Sequence, residues 1–291
     1  MSLFGDIRST LHGAPSAQAW EEIIELLEQL ESPKLEQEIL PYVHRAIASW
    51  DDRLLTPPRT WLDRVLSGQR EPRMVLVRRL SLTHTDLEGR RFQELIRSPY
   101  LEHLTSLELT WPGLDLDQLV TLLYHRSLSR LTELSLEGTE LGDGAVDLLC
   151  LTGFVHRLEI LELERNELSD GAIARLVDEL GPSLRVLDLS SNHITSQGFA
   201  AICRAPHLTS LERLSLWNNA VGDEGVEALV SSSFLPSLRA LDLERNQLTD
   251  LAAELLLDWE GLSRMTMLDL GHNPMSEDLR SGFVQSFAPE T

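Results

Sequence analysis

The sequence predicts an α/β solenoid, with a parallel sheet inside, helices outside and a helical segment in front. Three observations predict it. Eight copies of a Leu-x-x-Leu-x-Leu framework begin at Val77, Leu104, Leu131, Leu158, Leu184, Leu211, Leu238 and Met265, a nearly constant spacing that marks a repeat architecture. Within each copy an alternating stretch gives way to a polar turn and then to apolar residues at helical spacing. A single copy cannot bury its own leucines, so the units fold by stacking on one another.

The chain ahead of the repeats reads as helical. Ser16 caps a helix in which Trp20, Ile23, Ile24, Leu27 and Leu30 recur at helical spacing. Ser32 caps a second segment with Pro33 at its first position, and Pro41 kinks or splits it before Val43 and Ile47. Thr56-Pro57-Pro58 opens a third helix with Trp61, Leu62, Val65 and Leu66, ended by Gly68. Residues 1–72 are therefore expected to form an N-terminal helical cap that covers the apolar side and the strand edge of the first repeat. Residues 73–291 are expected to form the repeat domain, closed after Pro274-Met275 by a capping helix within Ser276 to Phe287.

One repeat shows how the rest fold. Leu161 and Leu163 alternate with Glu162 and Glu164, as in a strand with one buried face. Asn166 follows at the turn, repeated by Asn192, Asn219, Asn246 and Asn273, and these side-chain amides suit a ladder that satisfies turn backbone. Leu168-Ser-Asp-Gly then starts a helix containing Ile173, Leu176 and Val177. Gly144, Gly171, Gly198 and Gly225 recur where a helix approaches its neighbour. In the early repeats Thr85, Pro112 and Thr139 stand at the asparagine position, and Pro112 predicts a local irregularity.

Residues 161–172 (LELERNELSDGA) and 214–225 (LSLWNNAVGDEG) carry a resemblance to the leucine-rich repeats of the ribonuclease-inhibitor and Ran GTPase-activating-protein type. It covers roughly residues 77–275. The resemblance implies a horseshoe with a concave parallel sheet, and a binding surface rather than an enzyme.

Composition narrows the partner. The formal charge is −21, of which −4 falls in residues 1–76 and −17 in residues 77–291. No basic stripe is present to displace counterions, so nucleic acid is not expected as a partner. A protein with a basic surface is. The first ten residues include Asp6 and no apolar core of a signal segment, and no run of 18 apolar residues occurs, so a soluble cytoplasmic protein without membrane contact is expected. Of 25 basic residues 24 are arginine, a bias that fits a GC-rich bacterial genome.

No enzyme constellation emerges, and no cofactor or metal is expected. Cys150 and Cys203 occupy the same position of their repeats, where other repeats place Ile96, Leu123, Val177, Val230 and Leu257, so both read as core. His84 and His272 share a repeat position but belong to the first and last repeats, roughly 30 Å apart at about 4.8 Å per strand, too far to share an ion. Zinc-binding, phosphate-loop, nucleophile-elbow and dinucleotide signatures are missing.

Repeat position decides which residues meet on the inner face. Between the second and third framework leucines lie Ser81, Glu108, Ser135, Glu162, Asp188, Ser215, Asp242 and Asp269, five of them acids, more than alternation alone demands. After the third leucine come Thr83, Thr110, Glu137, Glu164, Ser190, Trp217, Glu244 and Gly271. Neighbouring carboxylates such as Glu162 and Asp188, or Asp242 and Asp269, should repel and raise one another's pKa, a cost that a partner's cations relieve. Trp217 and Trp111 suit interface anchors, and Ile160, Val186 and Met267 project near the same surface. The candidate binding residues are Trp111, Glu137, Glu162, Glu164, Asp188, Trp217, Asp242, Glu244 and Asp269. They suit an adaptor or inhibitor, in one version blocking a basic nuclease or toxin. The resemblance implies a second class, a GTPase regulator, which would draw on Arg165 or Arg245.

Overall fold

The structure, a computed structural model, describes residues 3–30, 33–110, 115–279 and Phe283. The chain divides into two compact units, Met1–Pro112 with His125–Leu131, and Gly113–Tyr124 with Thr132–Thr291. Two strands in the first and six in the second follow in chain order, and the pairings within each unit are parallel. Eight strands with intervening helices make the α/β repeat architecture expected from the leucine period.

The first unit contains α1 (Leu3–Leu11), α2 (Ala17–Glu28), α3 (Leu40–Ala46), α4 (Arg59–Leu66), β1 (Arg79–Thr83), α5 (His84–Leu87), α6 (Arg90–Arg97) and β2 (Ser106–Thr110). Ser16 caps α2 by accepting the Ala19 N–H at 3.1 Å, and the helix buries Trp20, Ile23 and Leu27. Before α3 the chain makes a π turn over Leu35–Ile39, and Pro41 falls in the first turn of α3, where its missing N–H costs nothing. The expected cap Ser32 lies outside the described residues. Helix α4 buries Trp61, Leu62, Val65 and Leu66, and Gly68 ends it at φ 76°. Helix α1, whose Ile7 is buried, was not expected from the sequence pattern.

The segment ahead of β1 imitates a repeat. Backbone N–H groups of Arg78 and Arg79 donate to the Leu55 carbonyl at 2.9 and 3.3 Å, just as Thr105 and Ser106 donate to the Arg78 carbonyl one repeat later. Leu55 thus supplies the acceptor a preceding repeat would supply, and the edge of β1 is covered there. Buried Glu71 and Arg73 hold this segment to α2. Glu71 pairs with Arg64 at 2.5 Å and Arg73 at 2.8 Å, while Arg73 donates to the carbonyls of Leu27 and Leu30 at the end of α2. Buried Asp86 accepts from the N–H and hydroxyl of Thr83 and pairs with Arg59 at 2.5 Å. Burial pushes its carboxyl up, but these hydrogen bonds outweigh burial and hold it below the usual range.

The second unit contains α7 (Leu116–Leu123), β3 (Glu133–Ser135), α8 (Gly142–Leu151), β4 (Ile160–Glu162), α9 (Asp170–Glu179), β5 (Val186–Asp188), α10 (Ser196–Cys203), β6 (Arg213–Ser215), α11 (Gly222–Val230), β7 (Ala240–Asp242), α12 (Asp250–Leu257) and β8 (Met267–Asp269). Register places Leu134, Leu161, Leu187, Leu214, Leu241 and Leu268 in one row. All but Leu268 are fully buried, each contributing about 1.5–3 kcal/mol.

The asparagine ladder is present. Asn192 donates to the carbonyls of Leu163, Leu189 and Ser190 at 2.9–3.1 Å and accepts the N–H groups of Asn166 and Leu168. Asn219, Asn246 and Asn273 likewise donate to the preceding repeat, and Thr139 starts the row by donating to the Asn166 carbonyl oxygen at 2.5 Å. A second ladder, of aspartates, runs along the helix starts. Asp143 accepts from Ser169, Asp170 from Thr195 and Gly198, Asp223 from Thr249, and Asp250 from Ser276. Each aspartate in the first turn of one helix thereby fixes the N-cap region of the next. A Cβ on Gly198 or Gly225 would collide with neighbouring side chains, whereas Gly171 has ordinary room.

Cys203 is buried and Cys150 only half-buried, its thiol near the Arg175 carbonyl. The shared repeat position lies at the flank of the helix, because Leu257 there is 39% exposed. Burial pushes the thiols up to about 12 for Cys203 and about 11 for Cys150, so neither is activated. The irregularity expected at Pro112 lies outside the described residues. So does most of the closing helix expected over Ser276 to Phe287, of which Phe283 is buried.

Candidate functional site

The site is built from the strand positions that face away from the leucine row of the second unit. Three lanes cross the six strands. The first holds Glu133, Ile160, Val186, Arg213, Ala240 and Met267, in register from strand to strand. The second holds Ser135, Glu162, Asp188, Ser215, Asp242 and Asp269, so Glu162 stands beside Asp188 and Asp242 beside Asp269. Glu137, Glu164, Ser190, Trp217, Glu244 and Gly271 continue the strands and form the third. Residues one step further, from Gly138 through Arg165, Ser191, Asn218 and Arg245 to His272, all take φ of 54–61°, a left-handed turn repeated six times.

Several acids also have local work. Asp188, Asp242 and Asp269 each accept the N–H two residues ahead, at 2.9, 2.9 and 2.8 Å, which turns the chain out of its strand. Their carboxyl groups remain on the face. The Asp242 carboxyl rises to about 6, and the causes that raise it are burial first, then Asp269, Glu244 and Asp188. Glu164 is raised by burial and then by Glu137, with Asp188 and Glu162 adding. The mutual repulsion expected from the sequence contributes, second to desolvation.

The face is partly neutralised by arginines of its own turns. Arg165 lies 3.3 Å from Glu164 and 3.7 Å from Glu137, and Arg245 3.6 Å from Glu244. The His272 Nδ1 lies 2.8 Å from Glu244. Trp217 is half-buried in β6's continuation, with the Arg245 guanidinium 5.7 Å from its ring centre. Beside it Ser190 and Ser215 share a hydrogen bond at 2.7 Å. The structure thus brings Glu137, Glu162, Glu164, Asp188, Trp217, Asp242, Glu244 and Asp269 onto one face. Trp111 lies outside the described residues. Sequence reading missed Arg213, Glu133 and Ala240 in the first lane, which a two-residue step back from the acid lane would have found. In the first unit the corresponding acid, Glu108, is paired with Arg79 at 3.0 Å.

Among the described residues no group of three or more histidine, cysteine, aspartate or glutamate side chains is placed to hold a metal. No helix among them is long and apolar enough to cross a membrane.

Residues 182–203, 207–230 and 234–257 match the family model of the Leucine Rich repeat. These are three consecutive leucine-rich repeats. They contain β5 to β7 and α10 to α12, and leucine-rich repeats indicate a protein-interaction module. No curated protein matches the chain. Among solved structures it is similar to one described as the Rad7 and Elc1 complex in yeast, at 17% identity and a TM-score of 0.37, over 97% of this chain and 85% of that one. It is also similar to a plant ice-binding protein, at 21% identity and a TM-score of 0.39, over 69% of this chain and 58% of that one.

Proposed function

We propose that this protein is a non-enzymatic adaptor or inhibitor that captures a basic protein surface on the acidic open face of its second unit. One observation carries the reading. Carboxylates stand side by side on adjacent strands, Glu162 with Asp188 and Asp242 with Asp269, and Asp242 is half-buried at a raised pKa of about 6. Holding like charges together costs stability, and a partner's arginine or lysine recovers that cost on binding. Trp217 supplies an aromatic anchor between the two acidic groups. We read the repeat as the ribonuclease-inhibitor type in a bacterial cytoplasmic protein, which suits a basic nuclease or toxin as the captured molecule. The GTPase-regulating alternative draws no support from Arg165 and Arg245, since carboxylates of the same face engage both.

The test begins with retention of proteins from host extract by the immobilised chain. Material held by the wild type and lost with Glu164→Arg plus Glu244→Arg is identified, purified and titrated. A purified partner that is acidic, or one retained equally by that variant, overturns the reading.

A further inference from the structure

We propose that the occupant of this face is an amphipathic α-helix of the partner, lying across the strands with two cationic side chains three helical turns apart. The proposal rests on the reading of the face as a docking surface and adds the shape and charge spacing of what docks.

Backbone bookkeeping decides the conformation. The face belongs to a sheet whose strands β3 to β8 already exchange their hydrogen bonds with one another, and beyond the strands Leu163, Leu189, Leu216 and Leu243 donate to the next repeat. A segment laid over the face, rather than along the outer edge of β8, finds no strand edge to pair with. An extended peptide would leave its own N–H and C=O groups without partners in the contact, whereas a helix satisfies them internally.

Spacing decides the charges. The acid lane is interrupted at Ser215, so the carboxylates form two poles, Glu162 with Asp188 on β4 and β5, and Asp242 with Asp269 on β7 and β8. The poles are three strand steps apart, roughly 14 Å at about 4.8 Å per strand. On a helix, residues 11 apart are separated by about 16 Å and return to nearly the same side, which matches the poles within side-chain reach. One pleat step away, about 7 Å, run Ile160, Val186, Ala240 and Met267, the last 46% exposed, with the exposed Arg213 standing between Val186 and Ala240. On the other side stands Trp217. The three lanes span two pleat steps, about 14 Å, enough to seat a helix with its side chains, about 10–12 Å across. An apolar stripe beside the cationic one, interrupted opposite Arg213, completes the match.

The probe is a labelled 18-residue alanine-based peptide with arginines 11 positions apart and leucines along the adjoining stripe. Two control peptides differ from it in one feature each: one of the same composition moves the second arginine by two positions, turning it to the far side, and the other carries a central proline exchange that breaks the helix. Binding is read by fluorescence anisotropy at fixed salt, and helix formation by far-ultraviolet circular dichroism. The in-phase peptide is expected to bind at least tenfold tighter than either control and to gain helicity on binding. Asp242→Asn with Asp269→Asn, which keep the acceptor for the turn, should remove that advantage while barely affecting a peptide that lacks the matching arginine. Equal binding of all three peptides overturns the helix proposal and leaves basic-surface capture standing. Absence of binding by all three also overturns it, and capture of a basic partner through another shape then shows that the face works without a helix.

Discussion

Asn192 does with one side chain what an isolated strand end cannot do for itself. Its amide donates to three carbonyls and its oxygen accepts two backbone N–H groups of the preceding repeat. Asn192→Ala strands these buried groups and should cost about 2–4 kcal/mol, read by urea unfolding, since each lost partner costs about 1–3 kcal/mol. A change under about 0.5 kcal/mol contradicts the ladder as a stabilising device. Asp242 makes the opposite case, a residue held at a cost. Its folded pKa of about 6 exceeds the ordinary aspartate value of 3.8, so between those values the native state holds a proton the unfolded chain has lost. Its contribution is therefore fully present below about pH 4 and is lost as pH rises through about 6. Across that window Asp242→Asn should flatten the fall of stability with rising pH, measured as the difference between the two proteins' denaturation midpoints. Both roles were visible in repeat position, because the asparagine and the acid lane recur once in each repeat. The ordering of causes was not, since burial of Asp242 depends on neighbours from other repeats.

Between residue and molecule, the elements are joined by contacts that span one repeat. Aspartates at the helix starts show this best, because Asp170 accepts two backbone N–H groups and a hydroxyl from the start of α10. Asp170→Ala should cost about 1–3 kcal/mol, from the loss of a charged cap and its buried partners, and thermal unfolding checks it. An unchanged midpoint would show that α10 needs no help from α9. The leucine period made the strands and helices legible, and Ser16, Pro41 and Gly68 marked the front helices by local chemistry. The aspartate ladder was not legible, because donor and acceptor lie a whole repeat apart in sequence and a serine or aspartate at a helix start reads first as a local cap. Nor were the left-handed residues from Arg165 to His272, since five of the six such positions carry side chains rather than the glycine that φ near 55° favours. The neutralising contacts of Arg165 and Arg245 follow from that turn, so the acidic face looked more uniform in sequence than it is in space.

At the scale of the molecule, a stack needs an end and a face. Leu55 presents its carbonyl to β1 as a previous repeat would, so deletion of residues 1–72 should expose an unpaired edge and the apolar side beneath it. We expect aggregation or a lowered melting temperature, checked by light scattering and calorimetry. A truncated chain that stays monomeric with the wild-type melting temperature would make the front helices a separate module. The face carries the functional account, and the two kinds of residue on it should fail in different ways. Removing charge slows association and flattens its salt dependence, while removing a buried indole speeds dissociation. The most direct measurement is therefore the association and dissociation rates of the purified captured protein across a range of ionic strength, for the wild type, Trp217→Ala, Glu164→Arg with Glu244→Arg, and the helix-surface control Glu227→Arg. The account predicts faster dissociation for Trp217→Ala at a cost of about 2 kcal/mol or more, loss of capture at physiological salt for the double charge reversal, and wild-type rates for Glu227→Arg. Wild-type rates for both face variants would place binding elsewhere on the molecule and contradict it.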